Sequence, residues 1–304
     1  MAAPQIMEEE VGGLPSVSAA EIAEKVREMC IAAAYELPRD AVSAFRRALE
    51  IEESPQGRAI FEELLRNADV AASERIPYCQ DTGLVTVFVK KGARVTIEGG
   101  TLTSAINEGV RRGYTEGYLR ASVVSEPLFE RKNTRDNTPA IVHIEESEED
   151  ELVISVVPKG AGSENMSRVA MLTPSAGWEG VKREVVETVR KAGANPCPPI
   201  VVGVGIGGNF EMCSYLAKKS LLRDVDEPNP DPRIAALERE LLVEVNKTGI
   251  GPAGLGGTVT ALSVHIESYP THIATLPVAI NLGCHAYRHK RAVLLGGDRG
   301  EGHE

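Results

Sequence analysis

The hydrophobic period of the chain first changes at IPYCQDTG, residues 76–83. Upstream of it, apolar residues recur every three or four positions: Ile22, Val26, Met29 and Ala33, then Val42, Phe45 and Leu49, then Ile60, Leu64 and Ala68. That spacing predicts three successive helices. A capping box from Ser18 to Glu21 opens the first, and Ser54-Pro55 caps the third. Downstream, LVTVFVKKG alternates as a strand, and ARVTIEGG is expected to continue the same sheet. A helix starts at Thr103. AIVHIE and ELVISVV, joined by the acidic ESEED, read as a hairpin whose carboxylates form a solvated turn rather than a metal site. PIVVGVG reads as a buried strand, the segments around Val181–Val189, EMCSYLAKKSLL and RIAALERELLVEVNKTG as helices, and the stretch from Ile250 to Cys284 as β-rich. The expected class is α+β (mixed α/β): a helical lead-in, then a mixed sheet flanked by helices, with the chemistry on loops.

Residues 1–16 show no period and are expected to form a flexible tail, leaving 17–304 as one domain; DEPNPDP is too short to link two. No apolar run approaches the ~20 residues of a membrane span. The start, MAAPQIMEEEVGG, has acids where an export signal carries lysines. The expected compartment is the cytoplasm. A formal net charge of −11 argues against a nucleic-acid backbone as the main partner. It also means that an anionic substrate needs a local cluster of Arg or Lys.

Five widely spread cysteines do not make a disulfide framework. Cys30 and Cys213 fall in helical patterns among apolar neighbours and read as core packing. Cys79 (PYCQDTG), Cys197 (NPCPP) and Cys284 (NLGCHAYRH) sit instead in Pro- or Gly-bounded loops where no period asks for a small hydrophobe. Three unrelated thiols, a zinc site without the usual C-x-x-C pair, and an iron–sulfur centre short of its fourth cysteine all remain open.

Gly203, Gly205 and Gly208 match G-x-G-x-x-G between a strand and a helix, with Asp224 or Asp226 at the distance of a ribose contact. A second helix rather than a parallel strand follows, which favours backbone packing over a nicotinamide site. His272 (YPTHIATLP) and His285 read as turn or core histidines or as acid–base groups. Arg120 (GYLRASVV) reads as a salt-bridge partner or an anion clamp.

Taken together, PYCQDTG, LRASVVSEPL...RKNTRDNTPA, GAGSENMS, NPCPPIVVGVGIGG, NKTGIGPAGLGGTVTALSVHIE and HIATLPVA...GC resemble the α subunit of class I, iron–sulfur fumarate hydratases from about residue 20 onward. L-tartrate dehydratase α subunits are similar over much of this stretch; SENMS is closer to the fumarase branch. Ala161 interrupts the glycine run of the family. The resemblance implies a [4Fe-4S] cluster on Cys79, Cys197 and Cys284, with one iron open as a Lewis acid. It further implies substrate contacts from Gln80, Arg120 and Gly162, and acid–base or positioning roles for Asp81 and His272. A fumarate hydratase β subunit is the implied partner, because single-chain relatives continue into a β-type region that is not present here.

Overall fold

A computed structural model of the chain describes residues 14–295. Residues 1–13, most of the expected tail, lie outside the described residues, as do 296–304. The described chain opens with β1 (Ser16–Ser18), so the boundary drawn at residue 16 falls inside a strand. The three predicted helices follow as α1 (Ala19–Tyr35), α2 (Arg39–Ile51) and α3 (Pro55–Glu74). Ser18 Oγ accepts from Glu21 N–H at 3.1 Å and Ser54 Oγ from Gly57 N–H at 3.2 Å, so both expected N-caps form. Next come β2 (Leu84–Gly92), β3 (Thr96–Glu98) and α4 (Leu102–Glu116). The last of these starts one residue before Thr103 because Thr101 and Ser104 cap each other reciprocally. The rest of the order is β4 (Ile141–Ser147), β5 (Leu152–Lys159), α5 (Ala161–Glu164), β6 (Arg168–Leu172), α6 (Gly177–Ala192), β7 (Ile200–Gly207), α7 (Phe210–Lys219), α8 (Pro232–Asn246), β8 (Ala261–Tyr269), β9 (Leu276–Gly283) and β10 (Lys290–Leu295). The fold is α+β, as expected.

Two details of strand pairing differ from the sequence reading. β3 does not extend the sheet of β2 but pairs in parallel with β1 as a separate two-stranded ribbon. Nor do β4 and β5 form a hairpin. β2 inserts between them, parallel to β4 and antiparallel to β5, in a sheet of order β10-β5-β2-β4. The physical reason is burial: β5 is buried throughout and β2 over most of its length, whereas β4 leaves Ile141 and Ile144 exposed as an edge strand does. The acidic turn then straddles the end of β2, where Gly92 and Ala93 N–H donate to Glu151 O and Ser147 O.

The second sheet has the order β6-β9-β7-β8. One core lies between the first sheet and α1 and α4, around Ile22, Val26, Val87, Ile106 and Ile154. Another lies between the second sheet and α6 and α8, around Val185, Val189, Val202, Leu241 and Ile280. α7 crosses β7 so closely that a Cβ on Gly205 would stand 2.0 Å from Cys213 O, and one on Gly203 2.2 Å from Ala217 O. Gly203 and Gly205 are therefore strand residues covered by a helix, and Gly208, just past the strand with φ 65°, is crowded by Met212 of the same helix, the packing reading of the motif. Cys30 and Cys213 are fully buried in apolar surroundings, and burial pushes the Cys30 thiol up to about 12. Among the described residues no helix is long and apolar enough to cross a membrane.

Candidate active site

Three loops carrying Cys79, Cys197 and Cys284 meet where the two sheets adjoin. Cys79 is set by the loop between α3 and β2. Its neighbour Tyr78 is buried, with N–H donating to Ala34 O at 2.8 Å and C=O accepting from Asn67 Nδ2 at 2.9 Å. Cys197 precedes β7 with its backbone in the left-handed region, φ 54°. Cys284 follows β9, which is antiparallel to β7, so that Gly283 is opposite Val201. Register alone therefore brings the Cys197 and Cys284 loops to the same end of the second sheet. His285 N–H to Cys197 O, 3.1 Å, ties them together, and Tyr78 Oη against His285 Nδ1, 3.3 Å, ties both to the Cys79 loop. Cys79 and Cys284 are half-buried and Cys197 is exposed. Burial, then the negative potential of Cys284 and Cys79, pushes the Cys197 thiol up. The three thiols are thus within electrostatic reach of one another.

Among the described residues no three His, Cys, Asp or Glu side chains converge tightly enough to chelate a single metal ion. A polynuclear cluster spaces its ligands farther apart than one ion does, and soft thiolates are its usual donors. The donor set fits such a group better than it fits zinc. His285 is half-buried, and burial, then the charge of Arg288, lowers its pKa to about 4, while its Nδ1 faces Tyr78 Oη at 3.3 Å.

The other residues of the Cys79 loop are anchored from far away in sequence. Thr82 Oγ1 donates to Arg120 O at 2.8 Å. Fully buried Asn137 donates to Gly83 O at 3.0 Å and accepts from Ser122 N–H at 2.8 Å. These bonds hold Arg120 beside the loop while its exposed guanidinium makes no hydrogen bond or ion pair among the described residues. Gln80 is likewise exposed with an unengaged side chain. Asp81 is fully engaged. Its Oδ1 accepts from Gly83 N–H at 3.0 Å and its Oδ2 from Ala161 N–H at 2.9 Å. That second bond brings the turn of Gly160, Ala161 and exposed Gly162 to the loop of Cys79, and Asn195 O lies 3.1 Å from where a Gly162 Cβ would be.

Behind this turn lie two buried cations. Lys159 Nζ, on a residue 9% exposed, donates to Ser163 Oγ at 2.8 Å and pairs with Glu164 at 3.0 Å. Arg288 donates to Pro158 O at 3.3 Å and to Asp81 O, while its Nη1 has no partner among the described residues. With Cys284 they line a cavity of about 20 Å³. Neither Asn137 nor Arg288 was singled out in the sequence; HAYRHK beside Cys284 was the one signal for Arg288.

His272 is placed elsewhere. It lies in the exposed turn between β8 and β9, its Nδ1 accepting from Ala274 N–H at 3.1 Å. Cys284 follows the opposite end of β9, a strand whose length alone is on the order of 25 Å. One chain does not bring His272 to the thiols. It lines instead a cavity of about 460 Å³ with Trp178, Val181, Ile206 and Ile273.

Comparison with known proteins gives a consistent answer. The model of the fumarate hydratase (Fumerase) family matches residues 23–293. A Methanocaldococcus jannaschii protein provisionally named L(+)-tartrate dehydratase subunit alpha is 43% identical over 272 residues, 88% of this chain and 95% of its own. The L(+)-tartrate dehydratase subunit alpha of Escherichia coli K12 is 35% identical over 263 residues, covering 85% of each chain.

Proposed function

The chain belongs to the fumarate hydratase (Fumerase) family, and from that premise we propose that it is the α-type subunit of an iron–sulfur hydro-lyase that adds or removes water across the central bond of a four-carbon dicarboxylate, with fumarate and malate as the substrate pair. The observation that carries this reading is the meeting of three thiols from three distant loops beside an exposed arginine that has no partner among the described residues. Cys79, Cys197 and Cys284 would hold a [4Fe-4S] cluster, which when bound supplies a Lewis acid to the oxygen of water or hydroxyl. Arg120 grips one substrate carboxylate in the fork geometry that guanidinium offers. This supplies exposed positive charge at the site of a net-acidic chain. Gln80, beside Cys79, donates from its amide. Gly162 lets a carboxylate approach the main chain of the turn, because no side chain stands there. Asp81, its two oxygens occupied by Gly83 and Ala161, acts by positioning that turn. His272 joins this site only across an interface between chains, given its place beyond the far end of β9.

The subunit designation of the relatives supports a separate β-type chain that completes the site, a cytoplasmic heteromer being the simplest form. Their names also favour a second reading, dehydration of L(+)-tartrate by the same machinery. The test is anaerobic reconstitution of the full chain with its β-type partner, followed by assays with fumarate, malate and L(+)-tartrate. Turnover of fumarate and malate in preference to tartrate is expected. A preference for tartrate replaces the first reading with the second, and a cluster-loaded complex inert to all three refutes both.

A further inference from the structure

We propose that Arg288 is the buried counter-cation of the thiol centre, a positioning residue that stabilises negative charge there and sets how readily the centre accepts an electron. The inference rests on the reading of Cys79, Cys197 and Cys284 as cluster ligands. Arg288 is 3% exposed. Guanidinium stays charged even when buried, and an uncompensated buried ion costs several kcal/mol. Yet Arg288 forms no ion pair among the described residues: two of its nitrogens donate to the neutral carbonyls of Pro158 and Asp81, and Nη1 donates to nothing. The neighbouring cation offers a contrast, since Lys159 is matched by Glu164 at 3.0 Å.

The cavity of about 20 Å³ that Arg288 shares with Cys284 has room for about one water molecule. A water would satisfy an N–H but would not neutralise the charge. What borders the same space and does carry negative charge in the working protein is the thiolate of Cys284 and whatever it holds. Three thiolates outweigh the positive charge of a cubane core, so the centre is anionic, and one-electron reduction makes it more so. The guanidinium is also held where it serves this purpose. One carbonyl that it grips belongs to the loop of Cys79, the other precedes the turn at Gly160, and Arg288 itself lies four residues beyond Cys284. A cation fixed there favours the reduced over the oxidised centre, and its removal must shift the reduction potential downward.

The experiment compares the full-length wild-type chain, R288Q and R288K, each reconstituted anaerobically with iron and sulfide. Iron content, thermal unfolding and an EPR-monitored redox titration are measured. R288Q is expected to take up iron but to be at least tenfold harder to reduce, a shift of about 59 mV to more negative potential for a one-electron couple. R288K, which keeps the charge and loses the fork, is expected to recover most of that shift. Equal potentials in wild type and R288Q overturn the inference and leave the ligand assignment standing. Should R288Q take up no iron, R288K decides. Iron and potential retained in R288K support the counter-charge, whereas their loss makes Arg288 a structural fork on two carbonyls and overturns it. A wild-type chain that binds no cluster defeats the ligand reading, and the inference falls with it.

Discussion

Arg120 presents an exposed charge with no partner among the described residues, and its main chain, not its side chain, is what the fold holds. Removing the guanidinium should therefore leave stability within about 0.5 kcal/mol, as for an ordinary surface substitution. The lost charge-assisted contact to substrate is worth roughly 1.5–3 kcal/mol, about 10- to 100-fold in kcat/KM. Arg120→Ala tests both at once, by thermal melt and by steady-state kinetics of the reconstituted complex. A lowered melting temperature with unchanged kcat/KM would turn Arg120 into a structural residue. At this scale the three loop cysteines stand out in the sequence, because a cysteine among Pro, Gly and polar residues breaks the pattern that core packing requires; the other candidate residues come from the family resemblance. Asn137 and Arg288 were not legible. The groups that they bond lie 54 and 207 positions away, so their local sequence does not show what they hold, even though RKNTRDNTPA and HAYRHK contain them.

Among the elements, helix period carried the lead-in correctly, since an amphipathic repeat and its caps are local properties. Strand pairing is not local. AIVHIE and ELVISVV read as a hairpin from their strand patterns and short connection, yet the more deeply buried β2 took the place between them. The glycines of β7 show the same dependence on a distant partner: their spacing matches a nucleotide motif, but the covering helix explains them. Gly205→Ala would put a methyl carbon 2.0 Å from Cys213 O, a contact that only a displacement of α7 relieves. The expected cost is about 3 kcal/mol, at the upper end for overpacking, read as a fall in the denaturation midpoint. A variant as stable as the parent would mean that α7 is free to move away, and would reopen a ligand-binding role for these glycines.

At the scale of the whole molecule, the site depends on how the two sheets are joined, and Glu164 is a principal joint. It follows β5 of the first sheet and receives Lys159 at 3.0 Å from that strand, Lys218 at 2.5 Å from α7 and Asn281 Nδ2 at 3.1 Å from β9 of the second sheet. Burial raises the pKa of its carboxyl, but the charges of Lys159 and Lys218 outweigh this and hold it at about 2, below its ordinary 4.5. A folded-state pKa depressed in this way contributes stability that is fully present above pH 4.5 and is lost as pH falls toward 2. The side chain is 41% exposed, so solvent screening reduces the contribution to about 1 kcal/mol. Glu164→Gln also leaves buried Lys159 without its counter-charge, and should therefore cost about 2 kcal/mol at neutral pH. The difference between parent and variant should then shrink between pH 4.5 and 2, where the parent carboxylate takes up its proton. Urea unfolding at a series of pH values measures it. A constant difference across that window would show that Glu164 acts by packing alone, and that the join between the sheets is carried by Arg288 and by the contact of Tyr78 with His285.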